Sequence, residues 1–287
     1  MKYLVLGSAG QIGAALVSKI RQSPGDSVLE FDIENGTEQD LRIYKNELLD
    51  ALVEEADFVF FLAFDVGGSR YLAAYQNTYD FISNNIKIMD QTFDVLKKHN
   101  KPFIFASTQM ANMSHSSYGI LKSIGEKTSA VLGGIVVKLW NVHGLEHDED
   151  KFHVITDLIV KAASTKKINL LTDGTEERQF LYADDCCDCL IELSIRYKDI
   201  DRNKQLHVAS FEWTNILDVA NYIASHFPGS VVIPSALKDE VQKNQRNEPD
   251  TYILELWKPK IGLNESISYI IKEMLSSPHK YPGMPLK

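Results

Sequence analysis

The stretch KYLVLGSAGQIGAALVSKI, residues 2–20, runs from a short apolar strand pattern through a glycine-rich turn into a helix pattern. Gly7, Gly10 and Gly13 stand in the spacing GxxGxxG, with Ser8, Ala9, Gln11 and Ile12 between them. Such a turn lets backbone approach a pyrophosphate, and the helix N-terminus behind it offers N–H groups and positive dipole. Three glycines alone would fit any tight strand-to-helix turn. Asp32 strengthens the reading: 19 residues after Gly13, at the end of the next strand pattern, a carboxylate can accept both ribose hydroxyls of a dinucleotide. A carboxylate there repels a 2′-phosphate, and no arginine stands immediately beside it, which favours NAD over NADP. Asp40 and Leu41 follow, placed for the adenine edge.

Outward from this turn, short β-branched or aromatic runs at 28–31, 57–62, 102–106 and 134–139 alternate with helix-period segments. In 85–97, Ile86, Met89, Phe93 and Leu96 repeat at three-to-four spacing. Strand–helix alternation of this kind predicts a parallel sheet covered by helices on both faces, a doubly wound Rossmann-type α/β fold. Beyond about residue 141 the pattern loosens into a loop, a helix near 153–164, the run KINLL, a turn at Asp173-Gly174 and a terminal helix near 264–276. The expected division is a dinucleotide-binding domain over 1–165 and a smaller mixed α/β substrate-binding lobe over 166–287, with segments interleaved. The lobe is expected on the carboxyl edge of the sheet.

The bulk numbers narrow the function classes. The net charge of −9 argues against a general nucleic-acid binder. No apolar run approaches a bilayer span and no secretory signal leads the chain, so membrane partners are not expected and the cytoplasm is the default location. Cys186, Cys187 and Cys189 crowd into one CCDC stretch, which is neither a disulfide framework nor the separated pairs of a zinc site. They read as residues of a helix in a reducing compartment, and no metal is expected.

The chemistry-bearing stretch is STQMANMSHSSYGILK, residues 107–122. Tyr118 and Lys122 are four apart, on one face of a helix. A phenol with pKa about 10 is a poor base at neutral pH, and an adjacent ammonium can stabilise the phenolate. Tyr118 is therefore the candidate general base for removing a hydroxyl proton as hydride leaves, with Lys122 tuning it and binding the nicotinamide ribose.

GSAGQIG, Asp32, Asp40-Leu41, Phe61-Leu62-Ala63, Asn84, Tyr118/Lys122 and Arg246 occur in an order that resembles the extended short-chain dehydrogenases/reductases of the nucleotide-sugar epimerase/dehydratase family. The resemblance covers most of the chain. It implies NAD as cofactor, with Leu62, Ala63 and Asn84 joining the cofactor site. It implies a nucleoside-diphosphate sugar as substrate, and a homodimer packed through 85–97 and the helix of Tyr118. It also makes Thr108 the hydroxyl that orients the substrate and Ser107 its neighbour. Nine residues separate Thr108 from Tyr118, where the family usually has a longer loop, so Ser107 or Ser117 is an alternative to Thr108. In 4,6-dehydratases the two positions after this Thr carry acids, and in 3,5-epimerases the second carries a cysteine. Here they are Gln109 and Met110. Hydride transfer keeps its equipment, while elimination and carbon-acid epimerisation lose theirs. His115 and His143 are the other candidate bases.

At the substrate end, KLWNVHG (138–144) resembles the family's RxxNxxG, which gives Asn141 a phosphate contact and puts Lys138 in place of the arginine. DG at 173–174 with RQF at 178–180 resembles GxxxRDF, giving Arg178 a grip on the diphosphate. RNEPD (246–250) supplies a second arginine, Arg246. LAFDVGGS (62–69) resembles the AADMGG stretch of GDP-mannose 3,5-epimerases, where Gly67 and Gly68 would let backbone approach the sugar. With the acid/base positions lost, the resemblance implies a GDP-sugar enzyme that oxidises, such as a GDP-heptose 4-dehydrogenase of capsule (polysaccharide) biosynthesis. A 4-epimerase or 4-keto reductase, and a non-catalytic NAD sensor on the same fold, are the alternatives.

Overall fold

The structure is a computed structural model that describes residues 1–239 and 247–285. Its strands along the chain are β1 (Lys2–Leu6), β2 (Ser27–Phe31), β3 (Phe58–Phe61), β4 (Phe103–Thr108), β5 (Ile135–Leu139), β6 (Asn141–His143), β7 (Lys167–Asn169), β8 (Glu177–Arg178), β9 (Phe180–Tyr182), β10 (Leu206–Val208), β11 (Thr214–Asn215) and β12 (Val231–Ile233). The helices are α1 (Gln11–Gln22), α2 (Glu47–Glu55), α3 (Ser69–Tyr75), α4 (Tyr79–His99), α5 (Ser117–Val131), α6 (Val154–Thr165), α7 (Ala183–Ile195), α8 (Ile216–Ser225) and α9 (Leu263–Ser276). Among the described residues none of these helices is long and apolar enough to cross a membrane.

Among the described residues a six-stranded parallel sheet runs in the order β10-β5-β4-β3-β1-β2. Its central strands read as continuous apolar runs because both faces are covered. Alternate residues divide cleanly. Tyr3, Val5, Phe58, Phe60, Ile104, Ile135 and Val137 pack with α1 and α7, while Leu4, Leu6, Val59, Phe61, Phe103 and Phe105 pack with α2, α4 and α5. Phe58, Phe60 and Phe61 are fully buried, and each contributes about 1.5–3 kcal/mol by leaving water. The three cysteines lie buried on α7 as free thiols, and burial holds them well above the usual thiol range.

A separate core gathers α6, α8, α9, β7 and Phe180. Helix α6 lies before residue 165 yet packs in this second core. Helix α7 and β10 lie after it yet pack on the central sheet. The chain thus crosses repeatedly between the two packing units.

From β1 the chain goes outward to β2, then returns to the other side of β1 as β3. That reversal is a topological switch point, where the carboxyl ends of two strands open a crevice. Gly7 ends β1 there with φ +88°, and a Cβ on it would lie 2.7 Å from the Ala63 nitrogen. A Cβ on Gly13 would lie 1.9 Å from the Gly7 carbonyl oxygen, so α1 packs directly on the turn. Gly13→Ala is therefore expected to lower stability by about 1–3 kcal/mol, the cost of overpacking against backbone, as read by urea unfolding.

Candidate active site

The glycine turn presents the start of α1 to the crevice. Gly10 is the N-cap, no side chain caps the helix, and no acidic residue occupies its first turn. The terminal N–H groups and dipole are thus left for an anion. The Cβ position of Gly10 meets only the Gly7 carbonyl oxygen, at 3.5 Å, so its outer side is open. The Asp32 carboxylate stands beside this turn, accepting from Ala9 N (2.9 Å) and Glu34 N (3.1 Å), with lone pairs left over. The N–H groups of Leu62 and Ala63 bond the Leu6 carbonyl at 3.0 and 2.9 Å, tying the end of β3 to β1. This cradle fits a dinucleotide. Asp40 has a different first partner from the adenine edge expected for it: it takes Arg42 through Nε at 2.9 Å and Nη2 at 2.8 Å, and that guanidinium holds its carboxyl below the usual range. Leu41 is buried. Asn84 donates to Asp65 at 3.2 Å.

Helix α5 carries Tyr118 and Lys122, the candidate pair. Ser116 caps it, accepting from Gly119 N at 3.1 Å. The helix lies unusually close to its neighbours, since a Cβ on Gly119 would meet the Met110 carbonyl oxygen at 2.3 Å and one on Gly125 the Phe105 ring at 2.3 Å. That approach brings Tyr118 beside Thr108, whose side chain favours the ionised phenol and whose Oγ1 accepts from Met110 N at 3.2 Å. Lys122 is buried, donates from Nζ to the Ala106 carbonyl at 2.6 Å, and lies 3.8 Å from the centroid of the Phe64 ring and 5.0 Å from that of Phe105. Phe64 also meets Tyr118 edge-on at 5.7 Å. Burial pulls the Lys122 ammonium down to about 7, against the field of Glu126. Burial pushes the Tyr118 phenol up to about 12. Of the two influences on the phenol, burial is the larger and the Thr108 side chain opposes it.

Other expected residues are placed elsewhere. Strand β4 continues through Thr108, so Ser107 and Thr108 point to opposite faces. Ser107 faces α5 and donates to Glu126 Oε1 at 2.5 Å, so it is not a substrate hydroxyl. Lys138, its cross-strand partner, bonds the same carboxylate at 3.1 Å. Ser117 donates to Asn77 at 2.7 Å and does not replace Thr108. His143 is buried against Phe180 and Tyr182, bonded to Ser266 at 2.8 Å and held neutral, with burial pulling it to about 3. It cannot serve as the alternative base. His115 is exposed on the loop before α5.

Gln109 and Met110 are both buried, and the Gln109 amide oxygen accepts from Asn247 at 2.9 Å. Asn141 donates to the Gln179 carbonyl at 3.3 Å. Arg178 is paired with Asp239 and bonds the Glu177 carbonyl at 2.8 Å, so its guanidinium already has an anion. The close approach at Gly67 and Gly68 is made by the chain itself. A Cβ on Gly67 would meet Lys151 Cα at 3.1 Å, and one on Gly68 the Phe152 carbonyl oxygen at 2.2 Å. Arg246 lies outside the described residues.

Residues 3–209 match the family described as the NAD dependent epimerase/dehydratase family. The chain belongs to that family. The uncharacterized UDP-glucose epimerase YtcB of Bacillus subtilis is 26% identical over 227 residues, covering 65% of this chain and 70% of that protein. Among solved structures, a UDP-glucose 4-epimerase of Thermotoga maritima superimposes with a TM-score of 0.78 at 19% identity, over 97% of this chain and 100% of that one. A GDP-6-OMe-4-keto-L-xylo-heptose reductase of C. jejuni does so with a TM-score of 0.80 at 18% identity, over 96% and 98%. At these identities the two structures show a shared fold.

Three further residues meet these candidates. Phe64 covers the Lys122 ammonium. Asp65 accepts from the Tyr71 hydroxyl at 2.6 Å and from Asn84, joining α3 and α4 to the crevice. Glu126 stands one helical turn beyond Lys122, where the four-residue spacing that found Lys122 would also have found it.

The buried Lys122 has lower proton affinity in the folded chain than its ordinary value of 10.5. Folding therefore releases a proton between pH 7 and 10.5, and the penalty from this group falls as pH rises through that window. Lys122→Met is expected to stabilise the protein more at pH 6 than at pH 9, by roughly 3 kcal/mol, measured by urea unfolding at the two pH values.

Proposed function

We propose that the protein is an NAD-dependent oxidoreductase acting on the C4 hydroxyl of a nucleoside-diphosphate sugar. The observation that carries this reading is Tyr118 beside Thr108 and one helical turn from a buried Lys122, with Gln109 and Met110 in the places where further acids would stand and His143 buried and neutral. Bound NAD supplies the hydride acceptor. Thr108 orients the sugar hydroxyl, and Tyr118 takes its proton as the C4 hydride departs, leaving a carbonyl at C4. In the reverse direction Tyr118 returns the proton. Bringing the Tyr118 phenol from about 12 to neutrality takes roughly 7 kcal/mol, which protonated Lys122 and the charge of the bound cofactor must provide together. The carboxylate of Asp65 is already engaged by Tyr71 and Asn84, and this supports a positioning role for it.

The LAFDVGGS stretch and the fold shared with a GDP-heptose reductase support a GDP-sugar, with a heptose favoured. The same Tyr118 and cofactor would equally serve 4-epimerisation or 4-keto reduction, the second reading, which the shared fold with a UDP-glucose 4-epimerase supports. Incubating the protein with NAD and GDP-mannose, a GDP-heptose or UDP-glucose separates them. A 4-keto product with stoichiometric NADH is expected, whereas a C4 epimer without net NADH selects epimerisation. Tyr118→Phe is expected to lower turnover at least ~100-fold with cofactor still bound. A 4-keto-6-deoxy product, or unchanged activity in Tyr118→Phe, would overturn the reading.

The reading includes a cytoplasmic location, in keeping with three free thiols, and a homodimer. Ile86 on α4 and Ile120, Ile124 and Val131 on α5 are exposed, a distribution that supports pairing through these two helices. Ile124→Asp is expected to shift the protein from dimer to monomer in analytical ultracentrifugation. An unchanged sedimentation coefficient would remove α5 from the interface.

A further inference from the structure

Helix α5 presents three titratable groups on successive turns of one face: Tyr118, Lys122 and Glu126. The carboxylate of Glu126 is held from the sheet. Ser107 Oγ donates to it from β4 at 2.5 Å, and Lys138 Nζ approaches it from β5 at 3.0 and 3.1 Å. Ser107 and Lys138 are register partners on the face that α5 covers, so the clamp is built by the sheet itself. His207 on β10 stands opposite Lys138, and burial together with the Lys138 charge keeps its imidazole pulled down to about 4. It is therefore neutral near pH 7. The cluster then contains two ammonium groups, Lys122 and Lys138, and one carboxylate, Glu126.

Lys122 has little else to hold its charge. Its partners are the Ala106 carbonyl and two aromatic faces, and Glu126 is the anion whose field favours its protonated form. A buried cation without such a field tends to neutralise. A neutral Lys122 would give Tyr118 no help in losing its proton.

We propose that Glu126 is a positioning residue of the catalytic apparatus: clamped by Ser107 and Lys138, its carboxylate raises the protonated fraction of Lys122, one helical turn from Tyr118. This rests on the reading of Tyr118 and Lys122 as the catalytic pair. Lys138 acts on the same balance in the opposite sense, since it neutralises part of the field of Glu126.

The test follows the titration of Lys122 in the full chain by NMR of lysine labelled with 13C at Cε, with the Lys122 signal assigned by its loss in Lys122→Met. Glu126→Gln is expected to lower its midpoint by about one pH unit or more. Lys138→Met, which keeps the carboxylate, is expected to raise it. Loosened packing alone would lower the melting temperature in both variants without moving the midpoint in opposite directions. Midpoints within 0.2 pH unit of the parent, or shifts of the same sign, would overturn the proposal. If Glu126→Gln does not fold, Lys138→Met decides, and the absence of a rise is the overturning result. Tyr118→Phe, assayed with GDP-mannose and UDP-glucose, separates the two levels. Retained turnover defeats the catalytic reading, whereas lost turnover with unmoved midpoints defeats only the role of Glu126.

Discussion

The candidate site depends on the depth at which one ammonium group is held. Lys122 lies under the ring of Phe64, against that of Phe105, and is bonded to a backbone carbonyl of β4. To bring it there, α5 must press on β4 and on the loop after it. Gly119 and Gly125 make that possible, because a methyl group at either would strike the Met110 carbonyl or the Phe105 ring. The same approach places Tyr118 against Thr108. Burial is thus both the geometric condition for the pair and the source of its electrostatic tension, since it raises the phenol and lowers the amine.

The sheet supplies the second constraint. Because β3 returns on the far side of β1, the glycine turn, the end of β3 and the end of β4 all open on one edge. The segment between β12 and α9 reaches this edge partly through short polar links. Asn247 bonds Gln109 immediately after Thr108, and Asp185 on α7 accepts from the backbone N–H groups of Lys260 and Ile261 at 2.9 and 2.8 Å. The same segment packs Ile253 and Trp257 into the core of the central sheet, so apolar burial and polar links together hold it beside the loop after β4.

Much of this was legible in the residues. The strand pattern before GSAGQIG and the alternation behind it led to the doubly wound sheet. The helix expected over 85–97 lies within α4, and the terminal helix expected near 264–276 is α9. The four-residue step from Tyr118 to Lys122 placed both on one face of α5. Strand ends were less legible: β4 was expected to stop at 106 and continues to Thr108. Those two residues change the meaning of the site, because a period of two sends Ser107 to one face and Thr108 to the other.

The amino-acid sequence by itself determined the local periodicities: which segments are strands, which are helices, where the glycines must stand, and which residue types are present to move a proton. Those properties depend on neighbours within a few positions. Only the tertiary structure decided that Arg178 is answered by Asp239, that Gly67 and Gly68 are approached by residues 151–153, and that Glu126 lies between Ser107 and Lys138. Partnerships between distant segments, and the desolvation that sets proton affinities, arise from how whole elements pack, and no pattern along the chain encodes their distances.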